Sequence, residues 1–359
     1  MNVITINKQD WARGLERAYD SYRLFGPVKQ DEFHNFRELV KGELPDLKLL
    51  NTRLSAKSMV YPQSEKLFEF TLDENREDHH ILKEIHKDYS SRAVIGIRPC
   101  DAKAFLLVKA NFDTPEYKDP YWIQSYEATT LVGYACNTPC RTCFCTTAGC
   151  GPFSEQGLDM LLVDAADHYL LKIITQKGEK FLNAAGWSST AESDAAIHKI
   201  ETMKQAAEEK ITAGISTDKL KDKKTTELFE APFWEQVAFA CINCGTCTSF
   251  ACINCGTCTY VCPTCWCFDI QDETFGRSGI RMRNWDSCMY PLFTLHGSGH
   301  NPRNIKIQRV RQRFMHKLKY YVDKYGNGIQ CVGCGRCIRH CPVNIDIRKV
   351  CDLMNNFEA

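Results

Sequence analysis

The spacing of apolar residues in the first half of the chain changes several times between the period of a strand and that of a helix. This pattern predicts short strands and helices in alternation. Residues 2–6 alternate as a strand does, and residues 8–22 then place large side chains at helical spacing. Continuous apolar runs at 92–97 and 130–134 predict two buried strands. Each of these strands runs into a cysteine-bearing segment, so the two segments are expected to meet at one edge of a sheet.

A helix and a hairpin complete this pattern. Asp101 follows the first buried strand and is the expected N-cap of a helix over residues 102–110. Residues 158–164 and 168–175 predict a hairpin. Strands mixed with helices in this order predict an α/β domain over residues 1–187.

The chain becomes polar after this domain. Residues 188–228 are rich in Lys, Glu, Thr and Ala and show little apolar periodicity, which predicts a solvated helix and a linker. Residues 229–359 then form a third unit, in which most of the cysteines lie.

Cysteine is the unusual component of the composition. The chain has 21 cysteines, six between Cys100 and Cys150 and fifteen from Cys241 to Cys351. The sequence start has no apolar segment typical of a secretory signal, and no apolar run approaches the roughly 18 residues of a membrane helix. A cytoplasmic protein without a membrane span is therefore expected, and there clustered thiols are metal ligands more often than disulfides.

Two segments have the cysteine spacing C-x2-C-x2-C-x3-C-P of bacterial ferredoxins. In such a run the first three thiolates hold one [4Fe–4S] cluster and the fourth holds the other. The alternative is zinc, but zinc knuckles use paired cysteines with a longer gap between the pairs. The predicted ligands are Cys252, Cys255, Cys258 and Cys341 for one cluster, and Cys331, Cys334, Cys337 and Cys262 for the second.

The predicted fold class is therefore α+β. An N-terminal α/β domain is followed by an expanded bacterial-type 2[4Fe–4S] ferredoxin domain at residues 229–359. Gly256 and Gly335, inside the two cysteine runs, are expected to let the backbone approach the inorganic sulfurs closely.

One ferredoxin loop is duplicated. The ten residues from Phe239 to Thr248 recur unchanged from Phe250 to Thr259, and only the second copy continues to the Cys-Pro pair. The first copy either holds an extra cluster with a distant ligand, or is a duplication or a sequence error that loops out; its incomplete ligand set favours the second interpretation. Its cysteines are Cys241, Cys244 and Cys247.

The motifs as a set resemble those of the 4Fe–4S dicluster subunit of anaerobic sulfite reductase and of the beta subunit of soluble sulfhydrogenases. The resemblance extends over nearly the whole chain, apart from the duplication, since the family has a single copy of this loop. Its marks include RPCD at 98–101, CPTCWC at 262–267, RNWDSC at 283–288 and CVGCGRC at 331–337.

The resemblance implies a further set of ligands. It groups Cys100, Cys136, Cys143 and Cys145, which suffice for a third [4Fe–4S] cluster, although buried thiols or a zinc site would also account for them. Cys140 and Cys150 lie outside the family pattern. The family also has three further cysteines, interpreted either as part of another metal site or, preferably, as packing near the clusters: Cys265, Cys267 and Cys288.

The resemblance also implies a function in electron transfer. Family members work beside a flavin-containing subunit that oxidises NAD(P)H and a catalytic subunit of the hydrogenase, sulfite reductase or heterodisulfide reductase type. This chain has no Gly-x-Gly-x-x-Gly fingerprint or P-loop, and no convincing acid–base set. A non-catalytic electron-transfer subunit of an anaerobic complex is therefore predicted. The alternative is a reductase subunit with its own substrate site in the N-terminal domain.

A basic stretch near the second motif has more than one interpretation. Between Ser287 and Val322 there are seven Arg or Lys residues and no acid. They form a solvated face, a docking surface for an acidic partner, or counter-charge to the anionic clusters. Nucleic-acid binding is not expected, because the formal net charge of the chain is only +1.

Overall fold

Two β-sheets organise the computed structural model, which describes residues 3–188, 194–239 and 252–358. Seven strands form the first sheet in the order β1-β9-β8-β7-β6-β2-β3, and four form the second in the order β10-β11-β4-β5. The strands are β1 Val3–Asn7, β2 Arg23–Gln30, β3 Phe33–Glu38, β4 Ser64–Thr71, β5 Lys83–Glu84, β6 Arg92–Ile97, β7 Thr129–Tyr134, β8 Met160–Asp164, β9 His168–Ile173, β10 Phe268–Phe275 and β11 Ser278–Trp285.

Helices cover both faces of the larger sheet and build most of the C-terminal part. A single turn of π-helix at His316–Tyr320 joins α9 to α10. The helices are α1 Lys8–Ala18, α2 Pro99–Phe112, α3 Pro120–Glu127, α4 Gln176–Ala185, α5 Asp194–Glu208, α6 Thr225–Glu230, α7 Phe233–Phe239, α8 Thr257–Tyr260, α9 Lys306–Met315, α10 Tyr321–Tyr325, α11 Arg336–Arg339 and α12 Ile347–Asn356. No helix among the described residues is long and apolar enough to cross a membrane.

The larger sheet is parallel in its centre and antiparallel at its edges. Strands β2, β6, β7 and β8 run parallel, while β1, β9 and β3 pair antiparallel. All six residues of β7 and five of the six in β6 are buried, as in a sheet covered on both faces. The mixed helix and strand content with a cysteine-rich C-terminal part confirms the predicted α+β class.

Most predicted elements of the N-terminal part occur where they were expected. The strand at 92–97 matches β6, and the hairpin matches β8 and β9. The prediction that Asp101 caps a helix is wrong, because α2 begins at Pro99 with Arg98 as its N-cap. Proline at the first helical position is favourable, so the helix starts earlier than its polar pattern indicates.

The smaller sheet joins distant parts of the chain. Strand β11 pairs antiparallel with β4, so residues 278–284 lie beside residues 64–71. A buried guanidinium reinforces this junction: Arg283 forms ion pairs with Glu65 and Asp119. The N-terminal and C-terminal parts are therefore held together by backbone hydrogen bonds as well as by side chains.

Candidate iron–sulfur sites

The first predicted ligand set lines a single cavity. Cys252, Cys255, Cys258 and Cys341 all line it, and so does Cys337 of the second set. Gly256 is the N-cap of the short helix α8, and its φ of 73° lies in the left-handed region that favours glycine. The second copy of the duplicated loop thus lies beside the cysteine that precedes Pro342, as a ferredoxin arrangement requires.

The cysteines of the second set lie next to each other, with Cys262 buried and the other three half-buried. Cys331, Cys334 and Cys337 each lie close enough to Cys262 to interact electrostatically with its sulfur. Burial raises the pKa of each of these three thiols to about 12. Thiols in such a place stay protonated unless a metal replaces the protons, so iron bound by these cysteines would release protons as it binds.

Backbone N–H groups point at several of these sulfurs. Asn254 donates to Cys252 over 3.4 Å and Ile345 donates to Cys341 over 3.3 Å. The N–H of Gly333 makes a similar bond to Cys331. Such bonds stabilise negative charge on sulfur, and they are among the features that set the potential of an iron–sulfur cluster.

The N-terminal cysteines also come together. Cys100 lies in the first turn of helix α2 and interacts with Cys136, which follows β7. Cys145 interacts with both Cys100 and Cys143. Burial raises the pKa of Cys136 to about 11, although Nη1 of Arg98 lies 3.8 Å from its sulfur. The loops after β6 and β7 do meet at one edge of the sheet. Cys140 and Cys150 lie nearby as well.

This N-terminal group abuts the second ferredoxin loop. The N–H of Phe144 donates to the carbonyl of Gly333 over 2.9 Å. A Cβ on Gly333 would come within 2.6 Å of Cys145 backbone atoms, and one on Gly335 within 2.3 Å of the carbonyl of Thr142. Both glycines have positive φ. Gly335 therefore allows the close contact with the loop that contains Thr142. The sequence had suggested a different reason for this glycine, the approach of the backbone to inorganic sulfur.

A buried ion pair lies at the same junction. Arg336 is fully buried and its guanidinium contacts both carboxylate oxygens of Asp101, at 2.5 and 2.7 Å. It also donates to Thr52 and Asn51. Cys100 and Cys334 are close enough for the guanidinium to interact with both sulfurs. Arg336 thus connects the N-terminal cysteine group to the second ferredoxin set.

Two further cations are buried without a carboxylate partner among the described residues. Arg313 is 4% exposed and its Nε has no hydrogen-bond acceptor, while Lys317 is 3% exposed and bonds only to Thr264 and the carbonyl of Gln330. Burial by itself would lower the pKa of both side chains. The sulfurs of Cys258 and Cys337 instead raise the pKa of Arg313 above its usual value. The sulfurs of Cys262 and Cys265 do the same for Lys317.

These two cations test whether iron–sulfur clusters fit the sites. A buried charge without a partner costs several kcal/mol. Clusters ligated by four thiolates are anionic, so their presence would supply the missing negative charge beside Arg313 and Lys317. The residues present therefore fit such clusters in charge as well as in ligand type.

The basic stretch is thus not simply a solvated face. Arg309, Arg313 and Lys317 follow each other at four-residue spacing along α9 and its continuation, and all three are buried. Lys319 is buried too, paired with Asp323 at 2.8 Å. The interpretation as counter-charge is favoured for Arg313 and Lys317, because their neighbours are cysteines.

No three Cys, His, Asp or Glu side chains within the described ranges converge on a single point as the ligands of one metal ion do. The ferredoxin cysteines do not converge on one point either. A cluster does not require them to, because its protein ligands bind different iron atoms.

Cys265, Cys267 and Cys288 are buried or half-buried beside the second ferredoxin set. The thiol of Cys265 donates a hydrogen bond to Cys262, and that of Cys288 donates to Cys267. Lys57, from the N-terminal part, also lies among them and donates to the carbonyl of Cys265 over 2.9 Å. Sequence reasoning missed Lys57 because nothing in its local pattern distinguishes it from a solvated lysine.

The extra copy of the duplicated loop lies outside the described residues, together with Cys241, Cys244 and Cys247. The described residues Ala238 and Cys252, on either side of the gap, lie close together, since the N–H of Cys252 donates to the carbonyl of Ala238 over 3.1 Å.

We predict that changing Cys241, Cys244 and Cys247 together to Ser leaves both ferredoxin clusters intact, because the second copy already lines the cavity with Cys341. Iron analysis and EPR of the dithionite-reduced protein check this. The same triple change in the identical second copy, at Cys252, Cys255 and Cys258, is the matched control and is expected to remove one cluster. The reverse pattern would show that the first copy holds the cluster.

Comparison with known proteins agrees with this geometry. Residues 251–345 match a family model described as a 4Fe-4S dicluster domain. The chain contains a 4Fe–4S dicluster domain. Outside this dicluster domain the similarity continues: the chain is 27% identical to sulfhydrogenase 2 subunit beta of Pyrococcus furiosus over 357 residues, 98% of each chain. No solved structure matches. The resemblance inferred from the motifs is thereby confirmed.

Proposed function

We propose that this chain is a non-catalytic subunit that relays electrons through three [4Fe–4S] clusters in a multisubunit oxidoreductase of the cytoplasm. The observation that carries the proposal is the continuity of the three cysteine sets. Cys337 borders the cavity of the first set, and Gly333 of the second set touches the loop that holds Cys145. Electrons entering at either end of this row have an adjacent site to move to.

The proposed partner subunits are taken from the sulfhydrogenase relative and from the family that the motifs resemble. The relative is named as a subunit of a sulfhydrogenase, so a hydrogenase-type catalytic subunit is the first candidate for one end of the row. A flavin-containing subunit that oxidises NAD(P)H is the candidate for the other. The sulfite reductase and heterodisulfide reductase types are the remaining catalytic partners that the resemblance implies.

The alternative, a substrate site in the N-terminal domain, has less support. The cavity there lies between β9 and α5, and its charged groups include Glu155 and Lys172, which form an ion pair at 2.6 Å. Glu201 and Lys204, which also line it, form a second ion pair at 3.1 Å, and Glu208 is the lining carboxylate for which the described residues show no ion pair. A single carboxylate does not make the acid–base set that a reductase site needs. The cysteines do not line this cavity apart from Cys150.

We predict that the isolated, anaerobically purified chain accepts electrons from dithionite but neither oxidises NADH nor reduces sulfite by itself. Its iron and acid-labile sulfide should be at least about eight of each per chain, rising to about twelve with the N-terminal cluster. Iron analysis, reductive titration and activity assays measure these quantities. Turnover of NADH or sulfite by the flavin-free chain would reject the relay, and zinc in place of iron would reject the cofactor assignment.

A further inference from the structure

We propose that the guanidinium of Arg313 is a counter-charge shared by the two ferredoxin clusters and raises the reduction potential of both. The inference rests on the proposed function, because it requires that both ferredoxin sets hold clusters. It goes further by assigning part of the two potentials to one side chain outside the ligand sets.

Helix α9 places Arg313 between the two ferredoxin sets. Its side chain lines the cavity of the first set together with Cys258 and Cys341, and Cys337 of the second set lines the same cavity. The guanidinium is close enough to interact electrostatically with the sulfur of Cys258 in the first set and with those of Cys337 and Cys262 in the second. Arg313 therefore borders both proposed clusters.

The contacts of Arg313 differ from those of the other two arginines on the same helix. Arg309 and Arg311 donate hydrogen bonds to backbone carbonyls, over 2.8 to 2.9 Å. Arg313 is 4% exposed, its Nε has no hydrogen-bond acceptor, and it forms no ion pair with any described residue. An arginine with a purely structural role is satisfied by the backbone around it, as Arg309 is. The surroundings of Arg313 point instead to negative charge on the cysteine sets.

A fixed positive charge beside a cluster raises the reduction potential of that cluster. Reduction adds one negative charge, which a nearby cation stabilises, so the reduced form gains more than the oxidised form. The guanidinium does not lose its proton in proteins, and burial removes most of the screening by water and salt. Because the same charge acts on both clusters, it changes the difference between their potentials less than it changes either potential.

The test compares Arg313→Met with Arg311→Met in the full chain, loaded with clusters under anaerobic conditions. Arg311 lies on the same helix, and its guanidinium stacks on Phe229 at 3.4 Å from the ring centroid. The charge that acts on Arg311 most strongly is that of Glu230, not that of a cysteine. Both changes remove one positive charge from α9, so a difference between them depends on where the charge lies. Redox titration followed by EPR measures the midpoint potential of each cluster.

Arg313→Met is expected to lower the midpoint potentials of both ferredoxin clusters, whereas Arg313→Lys, which keeps the charge, should hold both closer to the wild-type values. Arg311→Met should leave both unchanged. The N-terminal cluster is an internal reference whose potential should not move, because its ligands are not among the sulfurs that act most strongly on Arg313. A shift confined to one ferredoxin cluster, an equal shift in Arg311→Met, or no shift at all would overturn the proposal.

A second neutral variant, Arg313→Gln, keeps the proposal testable if Arg313→Met does not take up iron. If Arg313→Gln takes up iron, its potentials are measured in place of those of Arg313→Met. Iron retained by Arg313→Lys and lost from Arg313→Gln would support a requirement for the charge, whereas equal loss from both would assign the effect to shape and overturn the proposal. Wild-type protein that holds no iron would reject the proposed function itself, while wild-type clusters whose potentials these changes do not affect would overturn the shared counter-charge alone.

Discussion

Replacing Arg336 by alanine is expected to lower the free energy of unfolding by about 3–5 kcal/mol, because it leaves Asp101 buried and unpaired. Both members of this pair are at most 1% exposed, so water does not compensate for the lost partner. The same change removes the bonds to Asn51 and Thr52 that join the N-terminal part to the second ferredoxin loop. The midpoint of urea denaturation of the cluster-loaded protein, followed anaerobically, measures the effect.

Two variants make this experiment specific. Arg277 forms an exposed ion pair with Asp73, and Arg277→Ala is expected to change stability by less than about 1 kcal/mol. The double variant Asp101→Leu with Arg336→Met removes both charges and should recover part of the loss. An unchanged midpoint for Arg336→Ala would show that the pair does not hold the two parts together.

The second large effect concerns the ligands that cross between the two ferredoxin sets. Cys341→Ala should remove the cluster held by Cys252, Cys255 and Cys258, and Cys262→Ala should remove the one held by Cys331, Cys334 and Cys337. Each variant is expected to lose about four iron, and each loss should be accompanied by destabilisation, since cluster binding contributes to folding.

EPR of the reduced variants distinguishes which cluster has been lost, with Cys351→Ala as the control. Cys351 is a fully buried cysteine of α12 whose thiol bonds to the carbonyl of Ser216. In the cavity, Cys341 lies with the first set, and Cys262 interacts with all three cysteines of the second. If each change affected only the cluster of the triplet nearest in sequence, the crossed arrangement would be wrong.

Local patterns in the sequence were enough to predict what depends on neighbouring residues. The apolar run of β6 and the hairpin of β8 and β9 follow from periodicity, because burial of a strand is visible in its own residues. The ferredoxin ligands remain a prediction from spacing, since one short loop must supply three thiolates to one cluster; the structure places Cys252, Cys255, Cys258 and Cys341 around one cavity.

What the sequence did not predict depends on contacts between distant residues. The pairing of β4 with β11 joins segments about two hundred residues apart, and no local pattern specifies it. The burial of Arg313 and Lys317 was not evident either, since a basic helix ordinarily faces water. The burial of Lys57 could not be predicted for the same reason, because its hydrogen-bond partner Cys265 lies 208 residues away.

The three buried cations Lys57, Arg313 and Lys317 have a consequence for how the protein matures in the cell. Without metal, closing the N-terminal part over the cysteines would bury positive charges that nothing neutralises, at a cost of several kcal/mol each. We therefore expect the N-terminal part to close less stably over the cysteines before metal is bound than afterwards. On this view cluster assembly precedes the packing of Lys57 against Cys265.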